Sequence, residues 1–183
     1  MKRNRFLQSM LAGSAILANP ISTLASFSEE ELSEYMYAAA GKSNGSMIGF
    51  KSEPIKKVRI GMIGLGNRGK TLTEMLFWMI QNESAEIIAI GDLLEKNVNY
   101  VLEQLKPVQK TVPVTYYKDE NDWQNLVNRD DLDLLVICTP WHMHAAMAIY
   151  GMEQGKHVAA EVPIAYTMKD CWSIVKNADE TKK

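Results

Sequence analysis

From Val58 to Gly69 the chain reads Val-Arg-Ile-Gly-Met-Ile-Gly-Leu-Gly-Asn-Arg-Gly, an apolar run ending at Ile63 that passes at once into a G-x-G-x-x-G loop at Gly64, Gly66 and Gly69. Glycines at that spacing recur in ordinary turns, so the pattern gains weight only from its surroundings. The apolar, β-branched run reads as a buried parallel strand, and Lys70 to Gln81 (KTLTEMLFWMIQ) reads as a helix with an apolar stripe. A second strand, Glu86 to Ile90, leads into Gly91-Asp92, which places an acid 23 residues beyond Gly69. Each part has a task in a dinucleotide-binding βαβ unit. Glycines let the backbone turn tightly and approach a pyrophosphate, the helix N-terminus offers free N–H groups at its positive pole, and the acid holds ribose hydroxyls.

Beyond Asp92 the alternation continues. Leu93 to Lys106 reads as a helix that Pro107 helps to stop, and Val112 to Tyr117 as a third strand. Asp119 to Asn128 carries Trp123, Leu126 and Val127 on one helical face, and Leu132 to Cys138 (LDLLVIC) is the nearly continuous apolar run of a strand covered on both sides. Thr139-Pro140 turns into a helix from Met143 to Gln154 capped by Gly155; a fifth strand follows from His157 to Ala160. The last segment, from Met168 to Lys183, reads as a helix with Thr167 at its N-cap. Strands joined by helical crossovers predict a doubly wound parallel α/β sheet of the Rossmann type.

Residues 1–25 stand apart from this pattern. Lys2, Arg3 and Arg5 form a basic start, Phe6 to Ala18 an apolar stretch broken by Pro20, and Thr23-Leu24-Ala25 supplies small residues near a cleavage point. This is the build of a secretory signal, with an apolar core well short of the ~20 residues that span a bilayer, so export to the periplasm without a stable membrane anchor is expected. Arg3-Asn4-Arg5-Phe6-Leu7 also resembles a twin-arginine signal, with Asn4 between the arginines. Residues 26–55 read as a leader or linker, and 56–183 as the nucleotide-binding domain. Loss of residues 1–25 leaves 17 basic against 22 acidic residues, a mildly acidic chain with no basic stripe for nucleic acid. Cys138 and Cys171 are the only cysteines and form no C-x-x-C pair, which excludes a disulfide scaffold; Cys138 reads as a small buried thiol. His142 and His144 diverge on a helix and no further ligand joins them, so no metal site is expected. Asp130, Asp131 and Asp133 read as a solvated loop ahead of a strand.

Three separated motifs carry a family resemblance: Gly64 to Gly69, Cys138-Thr139-Pro140-Trp141-His142-Met143-His144, and Gly155-Lys156-His157-Val158-Ala159-Ala160-Glu161-Val162-Pro163. In this order and at these βα junctions, residues 55–183 resemble the Gfo/Idh/MocA oxidoreductases. Asn67-Arg68, Trp141-x-x-His144, and Glu161-Val162-Pro163 followed by Cys171-Trp172 look most like glycoside hydrolase family 109, the NAD-dependent α-N-acetylgalactosaminidases. Most Gfo/Idh/MocA relatives have Glu-Lys-Pro at the last motif, where this chain has Val162. A valine neither transfers a proton nor donates a hydrogen bond, which disfavours an alcohol dehydrogenase that uses that lysine.

The resemblance implies a redox-assisted glycosidase, an exception to the two-carboxylate mechanism. Bound NAD takes a hydride from C3 of the sugar, the C2 proton becomes acidic, the glycosidic bond leaves by elimination, water adds, and the hydride returns. Residue by residue, it implies that Gly64, Gly66, Asn67, Arg68 and Gly69 surround the pyrophosphate and that Asp92 holds the adenosine ribose. Trp141, His142, Met143 and His144 then line the cofactor, and Glu161 and Val162 lie near the nicotinamide. An acid at position 92 repels a 2′-phosphate, so NAD is expected over NADP. A second α/β substrate domain is expected to be missing, and with it the catalytic residues, so this chain alone is expected to be inactive. The expected partner is a sugar or glycan, and a homo-oligomer is compatible with the sequence. Two other functions fit the residues: a sugar or polyol dehydrogenase with net NAD turnover, and a non-catalytic NAD-binding fragment.

Overall fold

The computed structural model describes residues 49–183, together with Ser28 and Met47. The signal segment 1–25 and most of the linker expected over 26–55 lie outside the described residues. Ser43–Lys183 forms a compact unit of its own. Its strands are β1 (Val58–Ile63), β2 (Ala85–Gly91), β3 (Val114–Tyr116), β4 (Leu134–Ile137) and β5 (His157–Ala160). Its helices are α1 (Asn67–Gln81), α2 (Glu95–Leu105), α3 (Asp122–Val127), α4 (Trp141–Glu153) and α5 (Met168–Thr181).

All strand pairs are parallel and the order across the sheet is β3-β2-β1-β4-β5. The chain therefore winds outward from β1 to β3, then crosses back to lay β4 on the other side of β1. The order reverses at the β1–β4 boundary, where the loops after the two strands part and leave a crevice at the C-terminal edge.

Both faces of the sheet are covered, which is why the strands read as continuous apolar runs. On one face Ile60, Met62, Ile87 and Ile90 pack with Val98, Val101 and Leu105 of α2 and with Leu72 and Leu76 of α1. On the other, Ile63, Ala89, Leu135 and Ile137 pack with Leu126 and Val127 of α3 and with Met147 and Ala148 of α4. Each fully buried large aliphatic side chain contributes roughly 1.5–3 kcal/mol. The sheet centre, more than any surface pair, holds the fold together.

Two helices begin earlier than the sequence pattern predicts. α1 starts at Asn67 instead of Lys70, so Asn67, Arg68 and Gly69 form its first turn; α4 starts at Trp141 instead of Met143. The triplet of aspartates is more structured than a solvated loop. Asp133 accepts three hydrogen bonds from Arg59, one from its backbone N–H at 2.8 Å and two from its guanidinium at 2.9 and 2.7 Å, and so fastens the start of β4 to β1. Those bonds hold the Asp133 carboxyl below the usual carboxylate range, against the opposing effect of its partial burial. Asp131 forms a bidentate pair with Arg129 at 2.8 and 2.6 Å.

The outer edge of β2 is longer than its neighbour. β3 pairs only with Ala89, Ile90 and Gly91, leaving the first half of β2 without a strand beside it. There the Gln109 carboxamide accepts from the Ile87 N–H at 3.1 Å and donates to the Ile87 carbonyl at 2.8 Å. The same amide nitrogen reaches the Thr111 carbonyl at 2.7 Å, and the Thr111 hydroxyl donates to Glu86.

Candidate cofactor site

The crevice at the β1–β4 boundary is walled by two helix N-termini. α1 has Gly66 as its N-cap and α4 has Pro140, and neither cap supplies a side-chain acceptor. Neither helix carries an acid in its first turn, whereas α2, α3 and α5 carry Glu95, Asp122 and Asp170 there. α1 thus keeps its first-turn N–H groups, and α4 those of Trp141 and His142, with their positive poles unopposed by an acid, while the other three helices carry an acid there.

The glycines of the loop divide by task. Gly64 has φ +86°, and a Cβ there would lie 2.6 Å from the carbonyl carbon and oxygen of Cys138. Its identity is demanded by the fold itself, as is that of Gly69, whose Cβ would sit 2.0 Å from the Gly64 carbonyl oxygen. Gly66 is different. Its φ of −65° suits any residue and a Cβ would meet nothing within 4 Å. Nothing in the chain requires glycine at that position; a backbone approached closely by a ligand does.

Asp92 follows the last residue of β2 and turns its carboxylate back to the loop. Oδ2 accepts the Leu65 N–H at 2.6 Å; Oδ1 accepts the Leu94 N–H at 2.8 Å and the Asn97 amide at 3.2 Å. The acid expected at the ribose therefore also ties the glycine loop to β2.

Arg68 lies on the opposite side. Its guanidinium donates to Glu161 Oε1 at 2.6 Å, with the two side chains 55% and 20% exposed. This pair joins the first turn of α1 to the end of β5, passing beside Cys138 at the end of β4. Burial above all, with the Glu161 charge adding, pushes the Cys138 thiol up to about 11. Sequence spacing gave no sign that Arg68 and Glu161, 93 positions apart, meet.

The four residues after β4 part ways. Trp141 and His142 are exposed, and the Trp141 ring stands edge-on to Tyr166, 6.2 Å between centroids. Met143, in the first turn of α4, is partly buried against the core on that face of the sheet. His144 is fully buried, with Nε2 2.7 Å from the Thr139 carbonyl oxygen and Nδ1 3.0 Å from the Pro163 carbonyl oxygen. It acts as a brace that binds the loop after β4 to the loop after β5, positioning the crevice wall from beneath. Val162, beside Glu161, is 79% exposed. Among the described residues no cluster of three or more His, Cys, Asp or Glu side chains is placed to hold a metal ion, and no helix is long and apolar enough to cross a membrane.

Comparison with known proteins agrees with this geometry. Residues 58–183 match the model of an oxidoreductase family with an NAD-binding Rossmann fold. The chain is 38% identical over 141 residues to an α-N-acetylgalactosaminidase of Shewanella oneidensis, covering 77% of this chain and 30% of that protein. It is 39% identical over 141 residues to an α-N-acetylgalactosaminidase of Bacteroides fragilis, covering 77% and 32%. The chain thus spans about a third of the length of these relatives. Among solved structures, the WlbA dehydrogenase of Bordetella pertussis in complex with NADH and UDP-GlcNAcA superposes with a TM-score of 0.54 at 25% identity, covering 69% of this chain and 35% of that one. The myo-inositol 2-dehydrogenase of Lactobacillus plantarum shares the fold, with a TM-score of 0.58 at 23% identity over 69% of this chain and 34% of that one.

Proposed function

Because the chain belongs to the Gfo/Idh/MocA oxidoreductase family, with its NAD-binding Rossmann fold, we propose that it is the cofactor-binding part of an exported, redox-assisted glycosidase acting on α-N-acetylgalactosaminides. The residues present fit NAD. The uncapped first turn of α1 would bind the pyrophosphate, Gly66 would admit it, Asp92 would accept the adenosine ribose hydroxyls, and Trp141, Glu161 and Val162 would border the nicotinamide. When bound, NAD supplies a reversible acceptor for a hydride.

Val162 is the observation that carries the glycosidase over a dehydrogenase. At the end of β5, on the edge where ligands bind, it presents two methyl groups to solvent, where the family resemblance leads one to expect lysine. Such a side chain can shield and orient but cannot move a proton. Two relatives of more than a third identity named as α-N-acetylgalactosaminidases support the same reading. The export expected from residues 1–25 would fit it too, since a tightly held cofactor regenerated in each cycle needs no surrounding pool, whereas net turnover does. The chain spans about a third of the length of these relatives, so the residues that hold the sugar would come from the rest of the protein, and this part alone would leave the substrate intact.

The test uses an aryl α-N-acetylgalactosaminide, assayed on this chain and on the reading frame extended to the length of its relatives. Aryl alcohol released by the extended form only, with no accumulation of NADH, is the expected result. Turnover by the 183-residue chain, or stoichiometric NADH formed as a sugar or polyol is oxidised to its keto product, would overturn it, the second in favour of a dehydrogenase.

A further inference from the structure

We propose that Lys70 and Asn97 set the choice between NAD and NADP by holding the Asp92 carboxylate in one orientation. The inference rests on the reading of Asp92 as the acceptor for the adenosine ribose hydroxyls. Asn97 stands in the first turn of α2 and is buried, at 9% exposure. Its carboxamide lies between two charges of opposite kind. The Lys70 ammonium donates to its Oδ1 at 3.2 Å, and its Nδ2 donates to Asp92 Oδ1 at 3.2 Å.

An ammonium only donates and a carboxylate only accepts. An amide between them has one workable orientation, with its oxygen toward Lys70 and its nitrogen toward Asp92. Turned over, it would set oxygen against carboxylate and NH2 against ammonium. Lys70 therefore dictates which end of Asn97 reaches Asp92, although it does not touch Asp92 itself. Lys70 is fixed in turn by the face of Tyr100, whose ring centre lies 4.5 Å from Nζ.

The acceptor count of Asp92 gives this relay its consequence. Oδ1 takes the Leu94 N–H and the Asn97 amide, which fills its two lone-pair positions; Oδ2 takes the Leu65 N–H and keeps one free. A ribose hydroxyl, which can donate, fits that single place. A 2′-phosphate, which brings only acceptor oxygens and negative charge, meets a carboxylate that has no freedom to swing aside. With Asn97 or Lys70 removed, Oδ1 keeps only the Leu94 N–H, the carboxylate can turn about its two remaining backbone bonds, and discrimination against NADP falls.

Calorimetric titration with NAD and with NADP tests this on the unmodified chain, Asp92→Ala, Asn97→Ala, Lys70→Met and Lys70→Arg, with thermal unfolding as a check on folding. Asn97→Ala and Lys70→Met are each expected to move the NAD-to-NADP affinity ratio toward NADP by roughly tenfold, the worth of one hydrogen bond to a charged group. Lys70→Arg, which keeps a donor-only cation, is expected to retain the ratio. Should the buried Asn97→Ala fail to fold, Lys70→Met at a half-buried position carries the result. The sign is decisive: if Lys70 were a direct ligand of a 2′-phosphate, Lys70→Met would weaken NADP selectively, and that outcome overturns the proposal. So does an unchanged ratio in Lys70→Met when Asp92→Ala abolishes the preference. An unchanged ratio in Asp92→Ala itself would instead refute the ribose reading of Asp92, a separate failure.

Discussion

Alanine placed at Gly64 and at Gly66 separates what the fold needs from what the ligand needs. At Gly64 an alanine must hold φ +86°, a left-handed conformation worth about 1–2 kcal/mol against an L-residue. Its Cβ would also lie 2.6 Å from the Cys138 carbonyl, an overlap with backbone that a neighbour cannot relieve by changing rotamer; overpacking of this kind costs about 1–3 kcal/mol. Together these amount to about 2–5 kcal/mol, a large share of a typical net stability of about 5–15 kcal/mol. At about 2–4 °C per kcal/mol, Gly64→Ala is expected to melt about 4–20 °C below the unmodified chain. At Gly66 the φ of −65° is free of strain and the Cβ meets no atom within 4 Å. The gain from a stiffer unfolded chain and the poorer N-cap nearly cancel, leaving stability within about 1 kcal/mol of the unmodified chain. The added methyl does stand where a pyrophosphate would approach. An overpacking penalty of about 1–3 kcal/mol there weakens NAD by roughly 5- to 150-fold. Differential scanning calorimetry and NAD titration on the same two variants read both quantities. A Gly66→Ala chain that melts as early as Gly64→Ala, or that binds NAD with undiminished affinity, refutes the division of labour assigned to the loop.

Other outcomes follow from the ion pairs and the thiols. The chain is expected to prefer NAD to NADP by at least about tenfold, and Arg68→Ala to leave that ratio unchanged, because Arg68 is drawn to Glu161 on the far side of β1 from Asp92; a ratio that moves would place its guanidinium at the ribose. Asp133→Asn should destabilise the fold by about 1–3 kcal/mol, the range for hydrogen bonds to a charged group with allowance for the half-exposed Arg59. Since the Asp133 carboxyl is depressed in the folded state, its stabilisation is complete above its ordinary value of 3.8 and is lost as pH falls through the folded value. Urea midpoints of the two chains should therefore converge toward acid, and a gap that widens there would contradict the assignment. With its thiol near 11, Cys138 holds roughly one part in ten thousand as thiolate at neutral pH. Mass spectrometry after brief iodoacetamide treatment should find the exposed Cys171 alkylated first, and the reverse order would show that Cys138 is neither buried nor suppressed.

The strand, loop and acid at the start of the domain were legible because everything that specifies them is local. An apolar run, glycines at fixed offsets and an acid at the end of the next strand are spacings along the chain. The three-residue-early start of α1 was not legible. Gly66-Asn67-Arg68-Gly69 contains no Ser, Thr or Asp cap and two glycines, poor helix formers, and the turn closes as a helix where Gly69 lies against the Gly64 carbonyl while Gly64 itself packs on Cys138, a contact 74 positions away. For the same reason the spacing of Trp141 to His144 could not tell which residues face the crevice: His144 is buried because its ring sits between the Thr139 and Pro163 carbonyl oxygens, brought together by the loops after β4 and β5, with its N–H serving one of them. Arg59 with Asp133 and Arg68 with Glu161 are 74 and 93 positions apart, and no periodicity reports on partners so distant.

Gln109 bears on what this domain avoids becoming. The first half of β2 has an open outer edge, and such an edge is a template on which any extended peptide, including another copy of the same strand, can continue the ladder. A side-chain amide carries an acceptor and an N–H donor spaced like those of a peptide unit, and Gln109 turns both to Ile87 while its second N–H goes to the Thr111 carbonyl, so Ile87 has no N–H or carbonyl left for a newcomer. It thereby counterfeits one residue of a sixth strand without providing the backbone on which a seventh could grow. On this stretch of β2, where no strand lies along the outer side, a single carboxamide thus occupies the place at which an added strand would have to begin.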